Sequence, residues 1–169
     1  MSAGGVELVV LGLDPGSRFT GWGLVAERSG VLSLVDAGVL SLGSGDVCQR
    51  LGRIYAELAD LIAAHRPDEA AVENVFVSKN SQSAIKLGQA RGAALAACAV
   101  AGVGVSHYQP SLVKKSLVGT GRADKSQVAF MVGRLLGVKP DWREDASDAL
   151  AVAVCHLNQR RLAKMMETA

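Results

Sequence analysis

The chain of 169 residues is short of aromatics, prolines and cysteines, and it has no apolar stretch long enough to cross a bilayer. Phe, Trp and Tyr make up 4% of it, too little for a broad base-stacking platform. Four prolines and the lack of any low-complexity segment leave no obvious linker. One domain is therefore expected over residues 1–169, with residues 1–5 and 165–169 as the ends open to disorder. Three cysteines (Cys48, Cys98 and Cys155) are an odd count with no CxxC spacing, which excludes a disulfide framework and a cysteine zinc cluster. The longest apolar run, residues 93–105, has 13 residues, where a membrane helix needs roughly 20. No basic segment followed by an apolar one opens the chain, so neither export nor a membrane partner is expected, and the expected location is the cytoplasm.

Net charge is also nearly missing: 18 Lys+Arg against 16 Asp+Glu give +2. The charges are nevertheless segregated. Residues 1–76 hold five basic and ten acidic side chains, residues 77–139 hold nine basic ones and a single acid, Asp124, and residues 140–169 hold four and five. A basic middle segment points to a polyanion, and acids on both sides of it invite a metal-site reading. With 49% hydrophobic and 20% charged residues, the chain has the composition of a folded domain.

Residues 6–13 are a nearly continuous apolar run stopped by Asp14-Pro15-Gly16, which predicts a buried strand. Residues 20–26 and 31–42 predict two more strands joined by a tight turn near Ser29-Gly30, an antiparallel meander. Asp46 is placed to cap a helix to about residue 64, followed by Pro67. A strand is expected over 69–77, a helix over 81–101, a strand over 103–108 and a short helix over 110–118. Asp124 and Gln127 form a capping-box pattern for the next helix. The last helix opens at Asp145 or just before it and runs to about residue 164. This succession implies parallel crossovers: an α/β fold with a mixed five-stranded sheet flanked by helices.

Four carboxylates stand where chemistry needs them. Asp14 ends the first strand, beyond which open α/β sheets place ligands. Glu73 lies in the apolar strand EAAVENV, where an unpaired charge is costly. Asp145 and Asp148, three apart, share a face of the last helix near its start, where the helix dipole favours anions. Hard oxygen donors of this kind suit Mg²⁺ or Mn²⁺ rather than zinc. A pair of such ions can activate water against a phosphodiester. Glu144 is an alternative to Asp145, and spacing does not choose between them. His156 lies about two turns beyond Asp148, too far to join; His65 and His107 read as a helix-end and a strand residue.

The strings LGLDPGSRFTGWGL, VENVFVSKNSQSAIKLGQARGA, GTGRADKSQVAFMV and DASDALAVAVCH, in this order over about residues 6–160, resemble the bacterial crossover junction endonuclease family, RuvC. The resemblance implies a ribonuclease H-like fold and a homodimer that resolves four-way (Holliday) DNA junctions by paired symmetric nicks, in recombination and repair. It implies Mg²⁺ or Mn²⁺, two ions per subunit, with products bearing 5′-phosphate and 3′-hydroxyl ends. The family's metal-binding acids fall on Asp14, Glu73, Asp145 and Asp148, so the resemblance favours Asp145 over Glu144. Some relatives carry His at the position of Asp145. Family-like catalytic lysines fall on Lys114 and Lys125, and the family's base-packing aromatic falls on Phe76. Lys79, Lys86, Arg91, Lys115 and Arg122 are further candidates for contacts to the DNA backbone. The RuvA–RuvB branch-migration complex is a candidate partner.

Small residues along 84–101 (Gly88, Gly92 and Ala96 among them) suit either a two-fold interface or tight packing on the chain's own sheet. Three other readings fit the sequence less well. An actin-like or sugar-kinase-like ATPase needs two such domains around its nucleotide. The small RuvC-like nucleases that process ribosomal RNA lack the VFVSKN and KLGQARG segments. A silent DNA-binding module has no use for all four acids.

Overall fold

β1 (Leu8–Asp14), β2 (Phe19–Arg28) and β3 (Val31–Ser41) form the expected antiparallel meander in the computed structural model of the chain, which describes residues 7–75 and 80–168. Ser29 and Gly30, with φ of 53° and 84°, make the β2–β3 turn in the left-handed region that a two-residue hairpin demands. β4 (Glu69–Glu73) pairs parallel with β1, and β5 (Gly104–Tyr108) pairs parallel with β4. The sheet order is β3-β2-β1-β4-β5: a mixed five-stranded sheet, as the ribonuclease H-like reading requires.

Alternation along β1 sends its side chains to two cores. Leu11 and Leu13 join Ile54, Leu58 and Ile62 of α1 (Val47–His65) and Ala90, Ala94 and Ala97 of α2 (Ser81–Val100). Val10 joins the opposite core with α3 (Pro110–Val118), α4 (Lys125–Leu136) and α5 (Glu144–Glu167). The helix starts follow the sequence. Asp46 accepts from Gln49 N–H at 3.0 Å, and Asp124 and Gln127 complete the capping box of α4.

Two boundaries differ from the sequence reading. β4 ends at Glu73, not at 77. Its partner β1 stops at Asp14, and their last registered pair is Leu13 with Val72, so a longer β4 would have no ladder on that side. Asn74 still donates to the Tyr108 carbonyl at 2.7 Å. Phe76 and Lys79 lie outside the described residues. α5 begins at Glu144 and continues through Glu167, a turn past the expected end.

α5 is the helix that makes the site. Residues 146–157 are buried except Asp148, a nearly all-round burial that only a central helix can satisfy. It lies directly on β1 and β2 because three strand positions carry no side chain. A Cβ at Gly12 would stand 1.9 Å from the Ala149 carbonyl oxygen, and one at Gly21 would stand 2.0 Å from that of Asp145. One at Gly23 would strike Leu150 at 2.5 Å. Glycine inside a strand here marks a close backbone approach.

Candidate active site

Asp14, Glu73, Asp145 and Asp148 line one cavity of about 370 Å³, together with Lys114 and Lys125. Asp14 comes from the C-terminal end of β1 and Glu73 from that of the neighbouring β4. Asp145 stands in the first turn of α5, and Asp148 one turn further in. The two-strands-and-a-helix arrangement read from the sequence is what the structure brings together. Glu144 is not among the cavity residues; it points into a neighbouring groove and is largely exposed. Neighbours on a helix differ in direction by about 100°, and α5 is turned so that Asp145 faces Asp14.

The electrostatics are those of a crowded anionic site. Burial pushes the Asp14 carboxyl up to about 7, and repulsion from Asp148, Glu73 and Asp145 adds to it, against a lowering by Lys125. Glu73 is pushed up chiefly by burial and then by Asp148, against lowering by Lys114 and Lys125. Asp148 is raised by burial, against the hydrogen bond and charge of Lys125. Lys125 is held protonated by its hydrogen bond to Glu144, and its Nζ lies 3.1 Å from Asp148 Oδ2. One lysine thus offsets part of the charge that the acids impose on each other.

The donor set fits a hard divalent cation: four carboxylates around one polar cavity, with no sulfur or imidazole lining it. Among the described residues no three such groups are drawn close enough to grip one ion as they stand.

The basic candidates separate. Lys114, half-buried, and Lys125 face the acids. Lys86 lines a cleft with Ser17 and Arg50, on the α1–α2 side. Lys115 lines a groove between α3 and the C-terminal half of α5. Arg122 is exposed on the turn before α4. Arg91 does not reach the cavity. Its guanidinium, partly exposed, lies 2.7 Å from His107 Nδ1 and 3.4 Å from Asn74 Oδ1, where it braces the residues that follow Glu73. His156 is also structural, with Nε2 2.6 Å from Glu69 Oε2 and Nδ1 2.7 Å from the Tyr108 hydroxyl.

One cation escaped the sequence reading. Arg143, at the N-cap position of α5, lies over the Phe19 ring at 4.4 Å, with Nη2 3.7 Å from Asp145 Oδ2. Stacking and pairing together fix a guanidinium at the mouth of the site. Its place beside the acids of DWREDASD was the available signal.

Known proteins are similar to this chain in sequence and fold. The sequence model of the family described as "Crossover junction endodeoxyribonuclease RuvC" matches residues 10–156. A protein of that name from Solidesulfovibrio magneticus is 65% identical over 158 residues, 93% of this chain and 94% of its own. One from Nitratidesulfovibrio vulgaris is 59% identical over 159 residues, 94% and 96% of the two chains. Thermus thermophilus RuvC, solved in complex with a Holliday junction substrate, superposes with a TM-score of 0.84 at 35% identity, over 92% of this chain and 96% of that one. The yeast mitochondrial Holliday junction resolvase shares the fold, with a TM-score of 0.70 at 12% identity over 92% of this chain and 80% of that one.

Proposed function

The chain belongs to the crossover junction endodeoxyribonuclease family, RuvC, and from that premise we propose that the cavity between β1, β4 and α5 is its hydrolytic centre. As a family member it is a Holliday-junction-resolving endonuclease, and resolvases of this family are metal-dependent. One observation carries the assignment of the site: four carboxylates from three separate elements meet at one cavity with two lysines.

In this reading Asp14, Glu73, Asp145 and Asp148 hold Mg²⁺ or Mn²⁺, two ions per subunit. The bound cations would supply an activated water and offset charge on the departing oxygen. The water oxygen bonds to phosphorus, the bond to the 3′-oxygen breaks, and that oxygen takes up a proton, which leaves 5′-phosphate and 3′-hydroxyl ends. Lys114 and Lys125 bind the scissile phosphate and offset charge as it develops there. Arg143, with Lys86 and Arg122, extends the contact to flanking phosphates. A single gel tests the function: four-way junction, linear duplex and RNA–DNA hybrid, each with Mg²⁺, Mn²⁺ or EDTA. Paired nicks in the junction alone, lost in EDTA, are the expected result; equal cutting of the duplex or the hybrid overturns it.

Lys114→Ala and Lys125→Ala are each expected to slow cleavage. Each should also flatten the dependence of log binding constant on log salt by about one phosphate contact. Titrations at several salt concentrations measure this, and an unchanged slope with an unchanged rate removes the lysine from the site.

The protein acts as a homodimer over a single domain of residues 1–169, in the cytoplasm, with the RuvA–RuvB complex as a further partner. What supports the dimer is α2. Its Ala90, Ala94, Ala97 and Cys98 fill the chain's own core, while Gly88, Gly92 and Ala96 face outward beside Ile85. Nothing lies within 4 Å of where a Cβ on either glycine would stand. Sedimentation equilibrium at micromolar concentration should give twice the mass of the chain, and Gly92→Glu should shift it toward the monomer.

A further inference from the structure

Beside the carboxylate cavity, and sharing Lys125 and Asp148 with it, opens a groove of about 420 Å³ lined by Ala129, Phe130, Pro140 and Trp142. Two of the chain's few aromatic side chains are spent here. α4 buries Val128, Val132 and Leu136 in the core, yet Phe130 on the same helix is 58% exposed. A single exposed apolar side chain is ordinary. An exposed phenyl that lines one groove with a proline and an indole, beside the carboxylate cavity, is a surface for a flat apolar ligand.

The groove is built into the fold. Its far wall is the α4–α5 connection, which folds back on α4 because Gly133 has no side chain. A Cβ there would stand 2.8 Å from Pro140 Cδ and 2.9 Å from the Val138 carbonyl oxygen. Gly137 ends α4 in the left-handed region at φ 67°, and Val138 N–H returns to the Gly133 carbonyl at 2.9 Å. The wall is therefore held in place before any ligand arrives, which lowers the ordering cost of binding.

We propose that this groove is a subsite for one unstacked base of the DNA strand whose phosphate enters the carboxylate cavity, with the Phe130 ring as its stacking face. The proposal rests on the endonuclease reading of that cavity. Lys125 borders both spaces, so a strand whose phosphate meets the lysine has its base at the entrance to the groove. The hydroxyls of Ser126 and Ser147 at the margin offer a donor and acceptor to a base edge, so the subsite would bias where the strand is cut. A protein segment is the less apt occupant, because the groove opens onto a charged cavity rather than a wider apolar face.

The test is Phe130→Ala, a variant that removes an exposed ring, with Phe130→Trp as the conservative replacement. Four-way junctions carry 2-aminopurine, or an abasic residue, at single positions within about three nucleotides of the cut, and binding is measured in EDTA. One position is expected to change fluorescence on binding the unaltered protein and not on binding Phe130→Ala. The variant should bind the intact junction about tenfold more weakly, with the salt slope unchanged, and Phe130→Trp should restore binding. An abasic residue at that position should weaken the unaltered protein by the same factor and the variant no further. Additive losses at every abasic position overturn the proposal, as does unchanged junction binding, including where Phe130→Ala alters only self-association or capture of a protein partner. Failure of the unaltered protein to cut the junction at all would instead strike the endonuclease reading.

Discussion

Asp14→Asn is expected to lower junction cleavage by about a thousandfold or more, the scale on which a site loses a charge-handling group, while leaving junction binding nearly unchanged. The carboxylate belongs to the cavity, whereas Lys86, Arg122 and Arg143, proposed to meet flanking phosphates, lie outside β1. The same change should make the metal-free protein more stable at pH 8. Asp14 is raised from 3.8 to about 7 by burial and by Asp148, Glu73 and Asp145, so its ionised form opposes folding. A group raised in the folded state contributes its stability below its ordinary range and loses it as pH rises through about 7. In EDTA the melting temperature should therefore rise as pH falls from 8 to 6, more weakly in Asp14→Asn. Glu73 and Asp148 are raised too, chiefly by burial, so their ionised forms oppose folding in the same direction. Mg²⁺ or Mn²⁺ should stabilise the unaltered protein more at pH 8 than at pH 6, because ligands must shed protons to bind. Calorimetry across this range checks both signs. Normal cutting by Asp14→Asn would remove the residue from the site.

Gly21→Ala is expected to cost about a hundredfold in cleavage although position 21 carries no chemistry. Gly21 pairs with Asp14 across β1 and β2, and the added methyl would stand 2.0 Å from the Asp145 carbonyl oxygen and 2.3 Å from its carbon. Both are backbone atoms, so no rotamer change relieves the contact. The start of α5 must move off the sheet and take Asp145 and Asp148 away from Asp14. A displacement of about 1 Å at a catalytic group is enough for a loss of that size, and overpacking should cost roughly 1–3 kcal/mol of stability. Kinetics well below the variant's melting temperature separate the two effects. Full activity with an unchanged melting temperature would show that α5 does not rest on Gly21.

The fold was legible where local chemistry and pattern agreed. The meander, the capped helices at Asp46 and Asp124 and the short helix 110–118 follow from turn residues, caps and periodicity, which act over a few residues. The two boundary errors came from neighbours the sequence does not name. VENVFV reads as a strand throughout, yet a strand lasts only as long as its ladder, and β1 has ended by then. α5 runs through Glu167, past the end expected at about 164.

Charge patterning was informative about chemistry and only partly about space. Of the basic middle segment, Lys114 and Lys125 face the acids, while Arg91 is turned away from them to His107 and Asn74. Arg143, from the acidic end of the chain, stands at the site instead. By itself the sequence determined the reaction class, because hard oxygen donors beside lysines suit divalent cations and phosphates whatever the fold. The tertiary structure decided which residues share the cavity: Asp145 and not Glu144, Lys114 and Lys125 and not Arg91. The direction a side chain faces is set by what its helix packs against, and for α5 that is a strip of sheet from which three glycines have removed every Cβ in the way.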